Sequence, residues 1–258
     1  MNKLLHLLLP TLCLAVASFS VAADPVWSEI EGIADIGDEA IATDEDDIFA
    51  GKLNLGYLAS TGNTESSSFV GKLTLAWDLE KWRHAAVASG FSSETDGVTD
   101  GEQYRAGYKA DRKLGDKNYL FGVVNWENDR FSGIDRRTSE AVGFGRRFLE
   151  TGSHTLDLEL GVGARQTKRT TGEETDETIS RFAGNYAWQI AENSTFKQGV
   201  AVESGDENTY IESTTELTAQ LIGQLDLSIS YVIKRNSVVP LDSEKTDTYT
   251  SVSVVYSF

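Results

Sequence analysis

The sequence predicts an all-β fold, an antiparallel transmembrane β-barrel of about twelve strands in up-and-down order. Three observations point there. From Ile48 onward apolar and polar residues alternate in segments longer than the ~5–6 residues usual for a soluble strand. Longer and shorter connections alternate between those segments, as in barrels with loops at one end and turns at the other. The chain also begins with an export signal, after which no run approaches the ~18 apolar residues of a membrane helix. Three prolines, 23 glycines and 10% aromatics suit long strands joined by tight turns.

Residues 1–23 read as the signal peptide of the Sec route. Lys3 supplies the charged start, Leu4 to Val16 the apolar run, and Val21-Ala22-Ala23 the small residues before the cut. Cys13 lies inside that run, so the mature chain carries no cysteine, and neither a disulfide framework nor a thiol nucleophile is expected. Without the signal the chain has 22 basic and 40 acidic residues, a net charge of −18. Such a balance excludes nucleic acid as a partner.

Residues 24–47 form a separate acidic unit with ten acidic residues and no basic one. It is expected on the periplasmic side. The segment is expected to be a solvated acidic leader between signal and barrel; the alternative is a short helix at the periplasmic mouth, since Trp27, Ile30, Ile33, Ala34, Ile36, Ala40 and Ile41 are spaced to suit one helix face that Ser28 could cap.

Residues 48–258 form the barrel, with strands expected near 48–60, 65–79, 82–93, 102–114, 117–131, 137–149, 153–168, 176–190, 194–204, 208–222, 224–235 and 246–258. Leu156, Leu158, Leu160 and Val162 share one face against Asp157, Glu159 and Arg165. Leu225, Leu227, Ile229, Tyr231 and Ile233 oppose Asp226, Ser228 and Ser230 in the same way. Trp82 to Phe91 is less decisive because alanines occupy both faces. Loops are expected at 61–64, 94–101, 132–136, 169–175, 205–208 and 236–245, with short turns at the other end beside both termini.

A soluble barrel would turn its apolar face inward. Twelve strands enclose more space than side chains fill, so that face is expected to meet lipid and the sheet to close. Interfacial girdles are then expected from Phe49, Tyr57, Trp77, Trp82, Tyr119, Trp126, Phe148, Trp188, Phe196, Tyr249 and Phe258. Parity places Lys52, Lys72, Arg105, Lys109, Asp157, Glu159, Arg165, Arg181, Glu212 and Glu216 inside as candidate lumen-lining residues. Both signs are present, so no strongly selective pore is expected. The inward glycines Gly107, Gly143, Gly145, Gly161 and Gly163 suggest crowding.

The last strand ends Thr250-Ser-Val-Ser-Val-Val-Tyr-Ser-Phe258 with no polar tail. This end resembles the closing strand of bacterial outer-membrane barrels, which implies Tyr256 and Phe258 as a signal read by the barrel-assembly machinery. Leu55-Gly-Tyr-Leu-Ala-Ser-Thr-Gly-Asn-Thr64, Asn118 to Arg137 and Gly143-Phe-Gly-Arg146 resemble the YdiY-like salt-induced outer-membrane protein family, a domain family of unknown function. The resemblance implies an outer-membrane barrel of a Gram-negative envelope, associated with salt stress, among lipid and lipopolysaccharide. It brings no catalytic residues. Gly56, Gly62, Asn63, Thr64, Asp129, Arg130, Gly133 and Arg136 match its motifs and are candidates for structural or loop-ordering roles.

No enzyme is expected. His84 and His154 are the only mature histidines, and no Gly-x-Ser-x-Gly, His-Glu-x-x-His or phosphate-binding loop occurs. No cofactor or metal is implied. A narrow pore, a structural envelope barrel and a lipid-modifying barrel enzyme stay open as readings, and so does the oligomeric state.

Overall fold

The computed structural model describes residues 48–60, 65–239 and 244–258. They form twelve strands: β1 Phe49–Ser60, β2 Ser66–Asp78, β3 Trp82–Thr95, β4 Val98–Lys113, β5 Asn118–Asp129, β6 Ile134–Glu150, β7 His154–Arg169, β8 Glu174–Ala191, β9 Ser194–Ser204, β10 Thr209–Ile222, β11 Leu225–Asn236 and β12 Thr246–Ser257. Each strand pairs antiparallel with the next, and β12 returns to β1, closing an up-and-down barrel. The expected signal peptide and acidic segment lie outside the described residues.

Alternation sets the two faces as expected. Leu160, Val162, Leu217, Ile229, Val252 and Val254 are exposed on the outside, while Asp157, Glu159, Arg165, Arg181 and Glu212 are buried inside. The sheet closes on itself, so every strand has a neighbour on both sides, as a lipid-facing sheet requires, and only the β1–β12 pairing is short.

Two expectations are corrected. Residues 94–101 are not a long loop. β3 runs to Thr95 and β4 begins at Val98. Asp96 and Gly97 both take positive φ, at 51° and 80°, as the central pair of a two-residue type I′ hairpin must. Acidic and polar residues on both flanks hid this Asp-Gly turn. The connections at that end are therefore less extended than expected, and the strands themselves are longer. Tyr119 and Tyr249 do not join the girdles. Register puts Tyr119 beside the inward Gly145 and Tyr249 beside the inward Val232.

The inward glycines accommodate rings and a tight bend. A Cβ on Gly161 would lie 2.6 Å from the Val142 carbonyl oxygen and 2.8 Å from the Phe121 ring. A Cβ on Gly145 would strike the Tyr119 ring. Tyr119, Phe121, Val123 and Ala141 consequently form a small apolar cluster on the inner wall.

The seam between β1 and β12 is short. It pairs only from Lys52↔Ser257 to Leu55↔Val254, extended by the reciprocal backbone bonds of Gly51 and Phe258 at 2.7 and 2.9 Å. Outside it, the rings of Trp77, Phe49, Phe258 and Tyr256 lie in sequence, with neighbouring centroids 5.4–6.4 Å apart. Gly51 is needed here, because a Cβ would come within 2.5 Å of the Phe258 ring.

Candidate functional site

The candidate site is the charge network of the lumen. Part of it follows from strand register. Opposite charges fall on facing inward positions of adjacent strands, so Arg83 meets Asp111 at 2.9 Å, Arg165 meets Glu177 at 2.6 Å and Arg181 meets Glu203 at 3.1 Å. Arg147 grips both oxygens of Asp157, through Nε at 2.9 Å and Nη2 at 2.8 Å. Such forked contacts are the strong form of a guanidinium–carboxylate bond.

The second part crosses the barrel. In a ring of twelve strands β4 lies opposite β10, and β5 opposite β11. Arg105 on β4 donates through Nη2 to Glu212 on β10 at 3.0 Å. Lys234 on β11 donates to Gln103 on β4 at 3.1 Å and stands 3.7 Å from Glu127 on β5. Glu127 also meets Arg105 at 3.4 Å and Arg137 at 3.2 Å. The Arg137 guanidinium lies over the Tyr210 ring, and the Tyr210 hydroxyl donates to Glu212. Walls on opposite sides are thus tied side chain to side chain in the half of the barrel away from the termini.

A third group sits nearer the terminus end. Lys109 reaches Glu159 at 2.5 Å and Asp111 at 3.1 Å, and the Tyr119 hydroxyl donates to Glu159 at 2.9 Å. Arg105, Glu127, Lys234 and Glu212 are respectively 7, 3, 4 and 0% exposed. At such burial every charge depends on its partners, since an unmatched ion in low dielectric is strongly unfavourable.

Of the lumen-lining candidates, Arg105, Lys109, Asp157, Glu159, Arg165, Arg181 and Glu212 stand in these groups. Lys72 is buried and inward on β2, while Lys52 near the rim and Glu216 beside Lys197 are half-buried. Sequence reasoning did not single out Gln103, Glu127, Arg137, Tyr210 or Lys234. Their parity matched that of Arg105, but nothing in the sequence indicates which strands face one another.

Among the motif residues, Gly56 is inward at the seam, where a Cβ would meet Val70 at 2.6 Å. Asp129 accepts from Gln103 at 2.5 Å, and from the Ser132 backbone and hydroxyl at 3.0 and 2.9 Å, so it ties the 130–133 turn to the inner wall. Gly133 turns at φ 78°, Arg130 stands 3.9 Å from Glu102, and Arg136 is exposed outside. Gly62, Asn63 and Thr64 lie outside the described residues. Tyr256 and Phe258 belong to the aromatic row over the seam, with the Tyr256 hydroxyl 3.0 Å from Gln224.

Both histidines among the described residues stack in the outer girdle. His84 lies between Trp82 and Tyr108, and His154 between Trp188 and Tyr186, each with Nδ1 2.8 Å from the tyrosine hydroxyl. Among the described residues, no group of three or more His, Cys, Asp or Glu is placed to hold a metal.

Comparison with known proteins places the chain. Among solved structures, the barrel is similar to the NanC porin at 12% identity and TM-score 0.47, covering 80% of this chain and 97% of that one. It is likewise similar to the KdgM porin at 10% identity and TM-score 0.47, covering 81% and 99%. The translocator domain of autotransporter NalP from Neisseria meningitidis aligns at 12% identity and TM-score 0.45, over 84% and 91%. In sequence the chain is 36% identical over 212 residues to "Uncharacterized protein YdiY" of Escherichia coli strain K12, covering 81% of this chain and 83% of that protein. The profile of the family described as "Protein of unknown function, DUF481" matches residues 53–258. The chain therefore belongs to the DUF481 family, of which the YdiY-like motifs at Leu55 and Asn118 are part.

Proposed function

We propose that this protein is an outer-membrane barrel of the Gram-negative envelope whose lumen is latched by its own charges, so that it conducts little. The Arg105–Glu212 bond between opposite strands carries this reading, supported by Lys234 reaching Gln103 and Glu127. An ion that passes must separate or skirt these pairs. Because acids and bases alternate in the network, any residual path is weakly selective. The outward apolar band and the aromatic rows support a bilayer location, with lipid and lipopolysaccharide as surroundings and the Tyr256–Phe258 end engaging the assembly machinery. The salt association rests on the family resemblance. It predicts that the protein's abundance rises with medium salt, which immunoblotting of outer-membrane fractions measures.

The test of the latch is conductance of the refolded protein in planar bilayers. The wild type should show small steps or none. Replacing both partners, Arg105→Gln with Glu212→Gln, should enlarge the steps without leaving an unpaired charge. Glu212→Gln with Glu216→Gln should move any ion preference toward anions. Nanosiemens-scale steps from the wild type would defeat the reading.

A further inference from the structure

At the terminus end the outer face of the sheet carries an unbalanced charge. Arg112 is the last outward residue of β4 and faces Leu120 on β5, while Arg146 on β6 faces Asn118, the first residue of β5. Both arginines are exposed. Among the described residues neither meets an acid, and Arg146 touches only the Phe148 ring, at 5.7 Å. The side-chain oxygen of Asn118 likewise has no hydrogen-bond partner among them. By register the remaining outward strand positions at this end hold apolar, aromatic or uncharged residues, and no acid.

The spacing suits one anion. Directly opposed residues on neighbouring strands have Cβ atoms about 5 Å apart, and diagonal ones about 7–8 Å. Arg146 is directly opposed to Asn118 and Arg112 is diagonal to it, so two long cationic side chains flank one amide. Toward the loop end Leu120 and Phe144 follow on the same face, both exposed, and Trp82 stands beside Arg112. The row therefore lies where the apolar band ends, at headgroup depth on the side of the termini. A cation left without an acid at that depth attracts a phosphate, which accepts forked N–H bonds from each guanidinium. Lipopolysaccharide occupies the opposite leaflet, beside the loops, so the phosphate here belongs to a phospholipid. Two cations favour a net-negative headgroup over a zwitterionic one, whose ammonium they repel.

We propose that Arg112, Asn118 and Arg146 hold one anionic phospholipid of the periplasmic leaflet by its phosphate, with its chains over Leu120 and Phe144. The proposal rests on the barrel residing in the outer membrane, and the test separates the two. The refolded chain is incorporated into liposomes of equal phosphatidylglycerol and phosphatidylethanolamine, recovered by flotation, and extracted for native mass spectrometry of retained lipid. Failure to float would sink the membrane reading and the site with it. If the chain floats, phosphatidylglycerol should be retained about tenfold over phosphatidylethanolamine. Arg112→Gln with Arg146→Gln should bring that ratio close to one, and either change alone should lower it part of the way. Arg235→Gln, which removes an outward arginine at the loop end, should leave the ratio unchanged. Equal retention by the wild type, or a preference that survives the double substitution, would overturn the site. A preference lost equally with Arg235→Gln would do the same, by assigning it to overall charge.

Discussion

The latched wall and the seam are made from the same alternating strands, yet different interactions hold them. From β4 to β11 the inner face carries long side chains that reach across the lumen, and the sheet is paired along its whole length. At the seam the inner face is small. Ser228, Ser230, Ser251, Ser253 and Thr74 are buried there, and the Ser230 and Ser251 hydroxyls bond to each other. Backbone pairing between β1 and β12 spans only a few residues, and the aromatic row outside supplements it. The closing strand is thus held by the bilayer side of the sheet, whereas the opposite wall is held from within. In the latched wall a single side chain holds two strands together, so losing one there should cost more than losing one at the seam.

The largest effect should follow Glu212→Ala. It leaves the buried Arg105 guanidinium without its cross-lumen acid, and removing one partner of a buried pair costs about 3–5 kcal/mol. Urea unfolding in liposomes, alongside Ser251→Ala at the seam, tests the difference directly. Equal losses would erase the contrast between the two regions.

The outer face should respond next. Leu158→Arg or Ile229→Arg places a charge in lipid and should cost about 2–4 kcal/mol near the midplane. By sequence reasoning alone, a neighbouring inward change such as Asp157→Asn should cost less. The forked grip of Arg147 on Asp157 removes that difference, and the two kinds of variant should be comparable. A markedly milder Asp157→Asn would mean that the fork contributes little.

A smaller effect, about 1–3 kcal/mol, is expected for Gly51→Val, because the new side chain must displace the Phe258 ring. The folded band on unboiled gels should weaken, and deletion of Phe258 should weaken it further by removing the ring and the last backbone pair. Full heat-modifiable migration in both variants would show that the seam does not need this contact. The smallest change belongs to Lys168→Ala on the surface. Its contacts to Asp135 at 4.0 Å and Glu174 at 3.7 Å are solvent-exposed, and the change should stay within about 0.5 kcal/mol.

Much of this architecture was legible in the chain. Strand boundaries near Ser194–Ser204, Leu225–Asn236 and Thr246–Ser257 follow from period-two alternation, since a pleated strand turns successive side chains to opposite faces. The same parity put Arg105 and Glu212 on the inside and Leu158 and Ile229 on the outside. Alternation is a local property, so the sequence by itself determined which residues are wet and which are greasy, and where the strands run. It did not show that the Tyr119 ring has room inside, which Gly145 opposite provides; parity already set Tyr249 on the face opposite to Phe258. Nor did it show that Arg105 and Glu212, 107 residues apart, would bond. That contact exists only because closing twelve strands sets β4 against β10, and closure depends on the whole ring. Only the tertiary structure decided the latch and the short seam, since each joins strands distant in the chain.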